Sequence, residues 1–95
     1  MGDDATREIV RLFLDDFPVS LERLTLGGRE EQQRIAHGIK SSALHMGALG
    51  LSQRMARIEG LLGSGAGPLT PGEIAAIRAD FEAVAPALRG YASPA

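Results

Sequence analysis

The feature that most constrains this chain is the spacing of its apolar residues, which recur at steps of three and four. One such run near the start contains Ile9, Val10, Phe13, Leu14 and Phe17. Residues spaced in this way lie on one face of an α-helix, whereas a half-buried strand would alternate at every second position. No alternation with a period of two extends over a useful length. The sequence therefore predicts an all-α protein.

Glycines and prolines divide this pattern into separate helical segments. Pro18 should interrupt the first run, because proline is tolerated best in the first turn of a helix. A short segment from Val19 to Leu26 should then end at the following glycine pair. Three further helices are expected, over residues 29–45, 49–62 and 70–88. Since short connections favour antiparallel neighbours, we predict an antiparallel up-and-down four-helix bundle with an additional short N-terminal helix.

Two local signals mark the ends of these helices. Gly47 is well placed to end the central helix, because glycine readily adopts the left-handed conformation found there. Thr70 and Glu73 have the spacing of a capping box, with Pro71 at the first helical position. We expect a helix to begin at this point.

The composition argues against several classes of function. Ninety-five residues suit a single domain, taken as residues 1–95. The absence of cysteine excludes disulfides, zinc–thiolate sites and cysteine nucleophiles, and it suits a reducing cytoplasm. No apolar run approaches the roughly 18 residues of a membrane span, and no signal-peptide pattern opens the chain. A net charge of −2 and few aromatic residues argue against nucleic acid as a partner.

The central helix presents one histidine away from its apolar side. The predicted core stripe consists of Ile35, Ile39, Ser42, Ala43 and Met46. His37 falls nearly opposite this stripe, so its imidazole should face solvent or a partner. Its helical neighbours on the outer face are Gln33, Lys40, Ser41 and Leu44. An exposed leucine beside such a histidine would suit a partner-binding patch, to which Gln33 and Ser41 would also belong.

A carboxylate on the next helix is expected to reach this histidine. The apolar stripe of that helix consists of Leu51, Met55, Ile58 and Leu62. Counting equal distances from the turn at Gly47 sets His37 opposite residues 54–59, and Glu59 lies at the edge of the stripe. If Glu59 holds Nδ1–H, the Nε2 lone pair is free and points outward. A nucleophilic histidine requires such a fixed tautomer.

Basic residues near His37 could support an anion on the ring. Lys40 lies one helical turn away and supplies a positive charge, and Arg54 and Arg57 could add to it. A metal site is not expected, because His45 is eight residues from His37 and the pair lacks metal-ligand spacing. Ser41 and Ser42 have no base positioned to activate them as nucleophiles.

Taken together, these residues resemble the signature of histidine-containing phosphotransfer (HPt) domains. The resemblance rests on His37-x-x-Lys40-Ser41-Ser42-Ala43-x-x-x-Gly47-Ala48-x-x-Leu51, continuing to Met55-x-x-Ile58-Glu59. It implies a helical bundle whose exposed histidine exchanges a phosphoryl group with a receiver-domain aspartate in a bacterial two-component relay. His37 would be the phosphoacceptor, Lys40 the supporting cation and Glu59 the orienter of the ring. Ser41 stands where the family usually has glycine, which adds a Cβ and a hydroxyl beside the ring.

The resemblance also implies which partners the chain has and where a cofactor would come from. The expected partners are response-regulator receiver domains and a hybrid histidine kinase, and we expect this chain to be a monomer. It should be a phosphocarrier with no cofactor of its own, because it has no nucleotide-binding glycine loop, and the receiver would supply Mg²⁺. Two alternatives remain open. The chain could be phosphorylated directly by an ATP-binding kinase domain, or it could be a helical adaptor that carries no phosphoryl group.

Overall fold

The apolar repeats form four α-helices. The computed structural model describes residues 2–65 and 69–93, and within them the helices are α1 (Gly2–Leu26), α2 (Arg29–His45), α3 (Leu49–Gly63) and α4 (Pro71–Ala92). No strand occurs in this part of the chain, so the predicted all-α class is confirmed. Contacts join each helix to the next and α4 to α1, which closes the four helices into a bundle.

The predicted break at Pro18 was wrong. Residues on both sides of this proline belong to the single helix α1, and the described residues contain no additional short N-terminal helix. Pro18 lies on the exposed side of α1, where water can reach the backbone carbonyl that loses its partner. Phe17 and Leu21 flank it and are both buried, so packing against the bundle keeps the helix continuous.

Aromatic packing holds α1 against α4. Phe17 and Phe81 stack with a centroid distance of 3.9 Å, and Phe13 lies 5.8 Å from Phe81. At the end of the bundle, the guanidinium of Arg11 donates to the carbonyl of Ala92 at 3.1 Å. The start of α1 therefore lies beside the end of α4. The α3 stripe predicted from the sequence (Leu51, Met55, Ile58 and Leu62) is buried as expected.

The connection between α2 and α3 is a tight turn that fixes the two helices relative to each other. Gly47 has a φ of 78°, the left-handed conformation that glycine tolerates, and it ends α2 as predicted. The amide of Ala48 donates to the carbonyl of Ala43 at 2.8 Å, and the Gly47 amide donates to Leu44 at 3.1 Å. This pair of bonds is a Schellman motif. The capping box predicted at Thr70 and Glu73 is also present.

The buried stripe of α2 is rotated slightly from the predicted one. Its buried residues are Gln32, Ala36, Ile39 and Ala43. Ser42 is exposed, while Ile35 and Met46 are only partly buried. α2 packs against both α1 and α3, so its buried stripe faces both neighbours, and Ala36 within it is fully buried. Gln32 is satisfied in the core, since its amide nitrogen donates to the carbonyl of Leu24 at 2.9 Å.

Candidate functional site

His37 lies on the outer surface of α2. Its side chain is 61% exposed, although its chain neighbour Ala36 is fully buried. The helical period produces this difference, because successive residues are turned by about 100° around the helix axis. The imidazole is therefore available to a second protein.

A carboxylate from α3 holds one nitrogen of this ring. The Nδ1 atom of His37 lies 2.8 Å from Oε2 of Glu59. Glu59 follows the buried Ile58, and its own side chain is only 23% exposed. An ionised carboxylate can only accept hydrogen bonds, so Nδ1 must carry the proton in this contact. In the neutral ring, Nε2 then has the free lone pair.

Lys40 contacts the same carboxylate. Its Nζ atom lies 2.6 Å from Oε1 of Glu59, so each carboxylate oxygen has a different partner on α2. The Lys40 ammonium is the main reason that the pKa of the Glu59 carboxyl lies below its ordinary value. Desolvation opposes this shift, and the hydrogen bond from His37 adds to it. Glu59 is therefore ionised near neutral pH and remains an acceptor.

The residues predicted to surround His37 differ in their exposure. Leu44 is 60% exposed, and Ser41 is also exposed. Gln33 is half-buried, and its amide nitrogen lies against Gly63, 3.1 Å from the position a Cβ would take there. Arg54 does not join this group, because its guanidinium is paired with Asp80 on α4.

A groove between α1 and α2 borders the site, and the sequence analysis did not predict it. Its volume is about 600 Å³. Gly38, Ser41 and Ser42 line it from α2, while Ile9 and Leu12 line it from α1. Ile9 belongs to the predicted apolar face of α1 but is 42% exposed, and Leu12 is 59% exposed. The signal available in the sequence was Leu12, an apolar residue outside the predicted apolar run of α1.

No metal-binding cluster accompanies these residues. Within residues 2–65 and 69–93, no three His, Cys, Asp or Glu side chains are grouped so that they could hold a metal ion. In the same part of the chain, no helix is both long enough and apolar enough to span a membrane.

Comparison with known protein families gives a match over most of the chain. A family model described as the Hpt domain matches residues 8–87, which include all of α2 and α3 and most of α1 and α4. The match therefore contains the whole of the site around His37. No curated protein and no solved structure matches the chain.

Proposed function

The chain belongs to the Hpt domain family, and from this premise we propose that His37 is the residue that carries the phosphoryl group. Hpt domains are phosphocarriers of two-component signalling, and they act with receiver domains and kinases. The observation that supports His37 most directly is its contact with Glu59. That contact leaves Nε2, on a largely exposed ring, as the nitrogen with a free lone pair.

In the proposed reaction, Nε2 of His37 attacks the phosphorus of an aspartyl phosphate on a receiver domain. A nitrogen–phosphorus bond forms as the bond from phosphorus to the aspartate oxygen breaks, and the aspartate leaves as a carboxylate. The proton on Nδ1 stays in place, and Glu59 stabilises the positive charge that the ring acquires. The reverse reaction passes the phosphoryl group to another receiver. A receiver would bring Mg²⁺, whose charge would help to neutralise the transferring group.

The proposed docking surface surrounds His37 on both sides. It includes Gln33, Ser41 and Leu44, and we extend it to the adjoining groove between α1 and α2. Exposed apolar side chains, including Leu44 and Leu12, provide area that a partner can bury. We further propose an antiparallel up-and-down bundle, supported by the contact between the start of α1 and the end of α4. A monomer in a bacterial cytoplasm is proposed from the family resemblance alone.

A phosphotransfer assay tests this function. The protein is incubated with a panel of phosphorylated receivers and, separately, with ATP and kinase domains. We expect an acid-labile, base-stable phosphoprotein to form from at least one receiver, and His37→Gln should abolish it without loss of helical content. His45→Gln is the matched histidine control, because His45 is also exposed on α2; since His45 lines the adjoining groove, this variant can slow uptake but should keep the label. Labelling that survives His37→Gln but is lost in His45→Gln would refute the assignment. Labelling from kinase and ATP alone would favour direct phosphorylation, and no labelling from any source would favour an adaptor.

A further inference from the structure

The groove between α1 and α2 has the length and the apolar lining that one face of a helix would need. Its α1 wall extends from Ile9 to Ser20, which is about 16 Å at 1.5 Å per residue, or three helical turns. The buried core residues Phe13, Phe17 and Ile39 also line it, so its base is apolar. An amphipathic helix commonly binds another protein by laying its apolar face into a groove of this kind.

Gly38 keeps the α2 wall of this groove low beside His37. It follows His37 in the chain, lies inside α2 and is exposed. A Cβ added to Gly38 would meet no atom within 4 Å, so the packing of the protein itself does not require glycine there. Glycine is nevertheless one of the least favourable residues in a helix interior. The open space at Gly38 therefore weakens α2, and it lies where a partner of His37 would approach.

Asp16 gives the groove a negative charge. Among the described residues that line the groove, it is the only acidic one, and none is lysine or arginine. Its Oδ2 atom accepts from the hydroxyl of Ser20 at 2.9 Å, which orients the carboxylate and leaves Oδ1 to accept from another donor. No ion pair within residues 2–65 and 69–93 includes Asp16. Charge complementarity therefore favours a partner with a cation at this point.

The carboxylate and the open space lie at the same level on the two walls of the groove. Both Asp16 and Gly38 line it, from α1 and α2 respectively. In the proposed antiparallel bundle, counting back from Gly27 and forward from Gly28 by equal steps sets Asp16 opposite residues 38–39. A helix that lies over Gly38 can therefore direct a basic side chain to Asp16 without leaving the vicinity of the phosphoacceptor.

From these observations we propose that Asp16 and Gly38 determine which receivers this protein accepts. The groove takes an amphipathic helix on the receiver surface, about three turns long, whose apolar face covers the apolar base. A lysine or arginine of that helix pairs with Asp16, and the missing side chain at Gly38 lets the helix come close beside His37. The inference rests on the proposed phosphotransfer function and adds the chemistry of the partner segment that fits the docking surface.

Charge reversal at Asp16 tests the pairing. Calorimetric titration uses the unphosphorylated forms of receivers that label the wild type, so the affinity does not depend on transfer. Asp16→Lys should weaken binding roughly tenfold, and changing one surface lysine or arginine of the receiver to glutamate should restore it. Asp15→Lys is the matched control and should bind normally, because Asp15 is exposed on α1 but does not line the groove. Equal affinities of the two variants would overturn the inference, and the proposed function would still stand if His37→Gln abolishes labelling.

Filling the space at Gly38 tests the clearance, because stability and binding should then change in opposite directions. Gly38→Ala should raise the urea midpoint of unfolding, since alanine is the better helix former and its Cβ meets no other atom. It should nevertheless weaken receiver binding, and Gly38→Gln should weaken binding further, with the nitrogen-15 shifts of the His37 ring unchanged. Gly90→Ala is the control, because Gly90 is exposed on α4 with similar open space, and it should bind normally. Wild-type affinity in Gly38→Gln, or a lowered urea midpoint in Gly38→Ala, would overturn the role of Gly38.

Discussion

At the scale of single residues, the site depends on the ionised state of Glu59. The carboxylate can hold Nδ1–H of His37 only while it is an acceptor. Lys40, the largest influence, keeps the pKa of Glu59 below its ordinary value, and the hydrogen bond from His37 acts in the same direction. The same contacts therefore bear on the proposed role of the ring and on the stability of the fold in acid.

The first prediction concerns this acid dependence. Because Glu59 has the lower pKa in the folded state, the unfolded chain binds more protons in the acidic range. The stability contributed by Glu59 is therefore present above the pKa of its carboxyl in the unfolded chain and is lost as the pH falls through the lowered pKa of the folded state. Glu59→Gln should make the free energy of unfolding, measured by urea denaturation, less dependent on pH below this range. If the wild-type and variant curves stay parallel, the contact does not stabilise the ionised form.

The second prediction concerns Lys40→Arg, which keeps the charge but changes its shape. A guanidinium can bind both oxygens of Glu59 and so compete with His37 for Oε2. We expect the Nδ1–H share of the His37 ring to fall in nitrogen-15 NMR and phosphoryl uptake to slow, with unchanged helical content in circular dichroism. A wild-type tautomer in this variant would show that a lysine is not specifically required.

The third prediction concerns Leu44, which is 60% exposed beside the site. Leu44→Asp should weaken binding of a cognate receiver by on the order of 1–2 kcal/mol and leave stability nearly unchanged. Ser41→Gly should be neutral or mildly improve transfer, because it clears space beside the ring. Leu26→Asp, at the exposed last residue of α1, is the control and should bind normally. Calorimetric titration measures all three, and wild-type binding or unfolding of Leu44→Asp would contradict the proposed surface.

At the scale of helices, α1 shows that packing can outweigh a local helix breaker. Proline in a helix interior costs about 3 kcal/mol relative to alanine, yet α1 continues through Pro18. The buried residues that flank it, Phe17 and Leu21, are held by the rest of the bundle. The cost of the proline is therefore offset by the burial of these two side chains.

The fourth prediction follows from this balance. Pro18→Ala restores a backbone donor on the exposed side of α1. It should raise the free energy of unfolding by about 1–2 kcal/mol, because the gain in helix stability exceeds the loss from a more flexible unfolded chain. Pro71→Ala is the matched control. Pro71 occupies the first turn of α4, where proline is favourable, so its replacement should give no gain. Urea denaturation compares the two, and equal stability of wild type and Pro18→Ala would mean that Pro18 is not a strained position.

At the scale of the whole bundle, the site and the aromatic packing lie on different helix pairs. Glu59 on α3 contacts His37 and Lys40 on α2, whereas the three phenylalanines join α1 to α4. The groove between α1 and α2 connects the two halves beside His37. Overall stability and ring orientation should therefore respond to different substitutions.

The fifth prediction tests this separation with Phe81→Ala. Removing a buried ring that stacks on Phe17 should lower the free energy of unfolding by about 3–5 kcal/mol. In the protein that remains folded, the tautomer of His37 should be unchanged. Leu26→Ala, at a residue that is 77% exposed, should change stability by less than about 0.5 kcal/mol. A changed His37 tautomer in Phe81→Ala would show that the two helix pairs are coupled.

The sequence by itself determined the features that depend on local backbone geometry and helical period. It predicted the helical class, the α3 stripe, the end of α2 at Gly47 and the capping box before α4, all of which are confirmed. Counting along two helices from a tight turn also set Glu59 opposite His37, and these side chains are in contact. Their roles in transfer stay predictions.

Only the tertiary structure decided the features that depend on more than one neighbouring helix. The continuity of α1 through Pro18 requires the burial supplied by the bundle. The rotation of the α2 stripe and the groove beside His37 arise because α2 meets α1 and α3 at different angles around its axis. The direction of the Lys40 side chain also depends on a second helix. Its position on α2 allows several rotamers, and the carboxylate of Glu59 on a second helix selects the one that is observed.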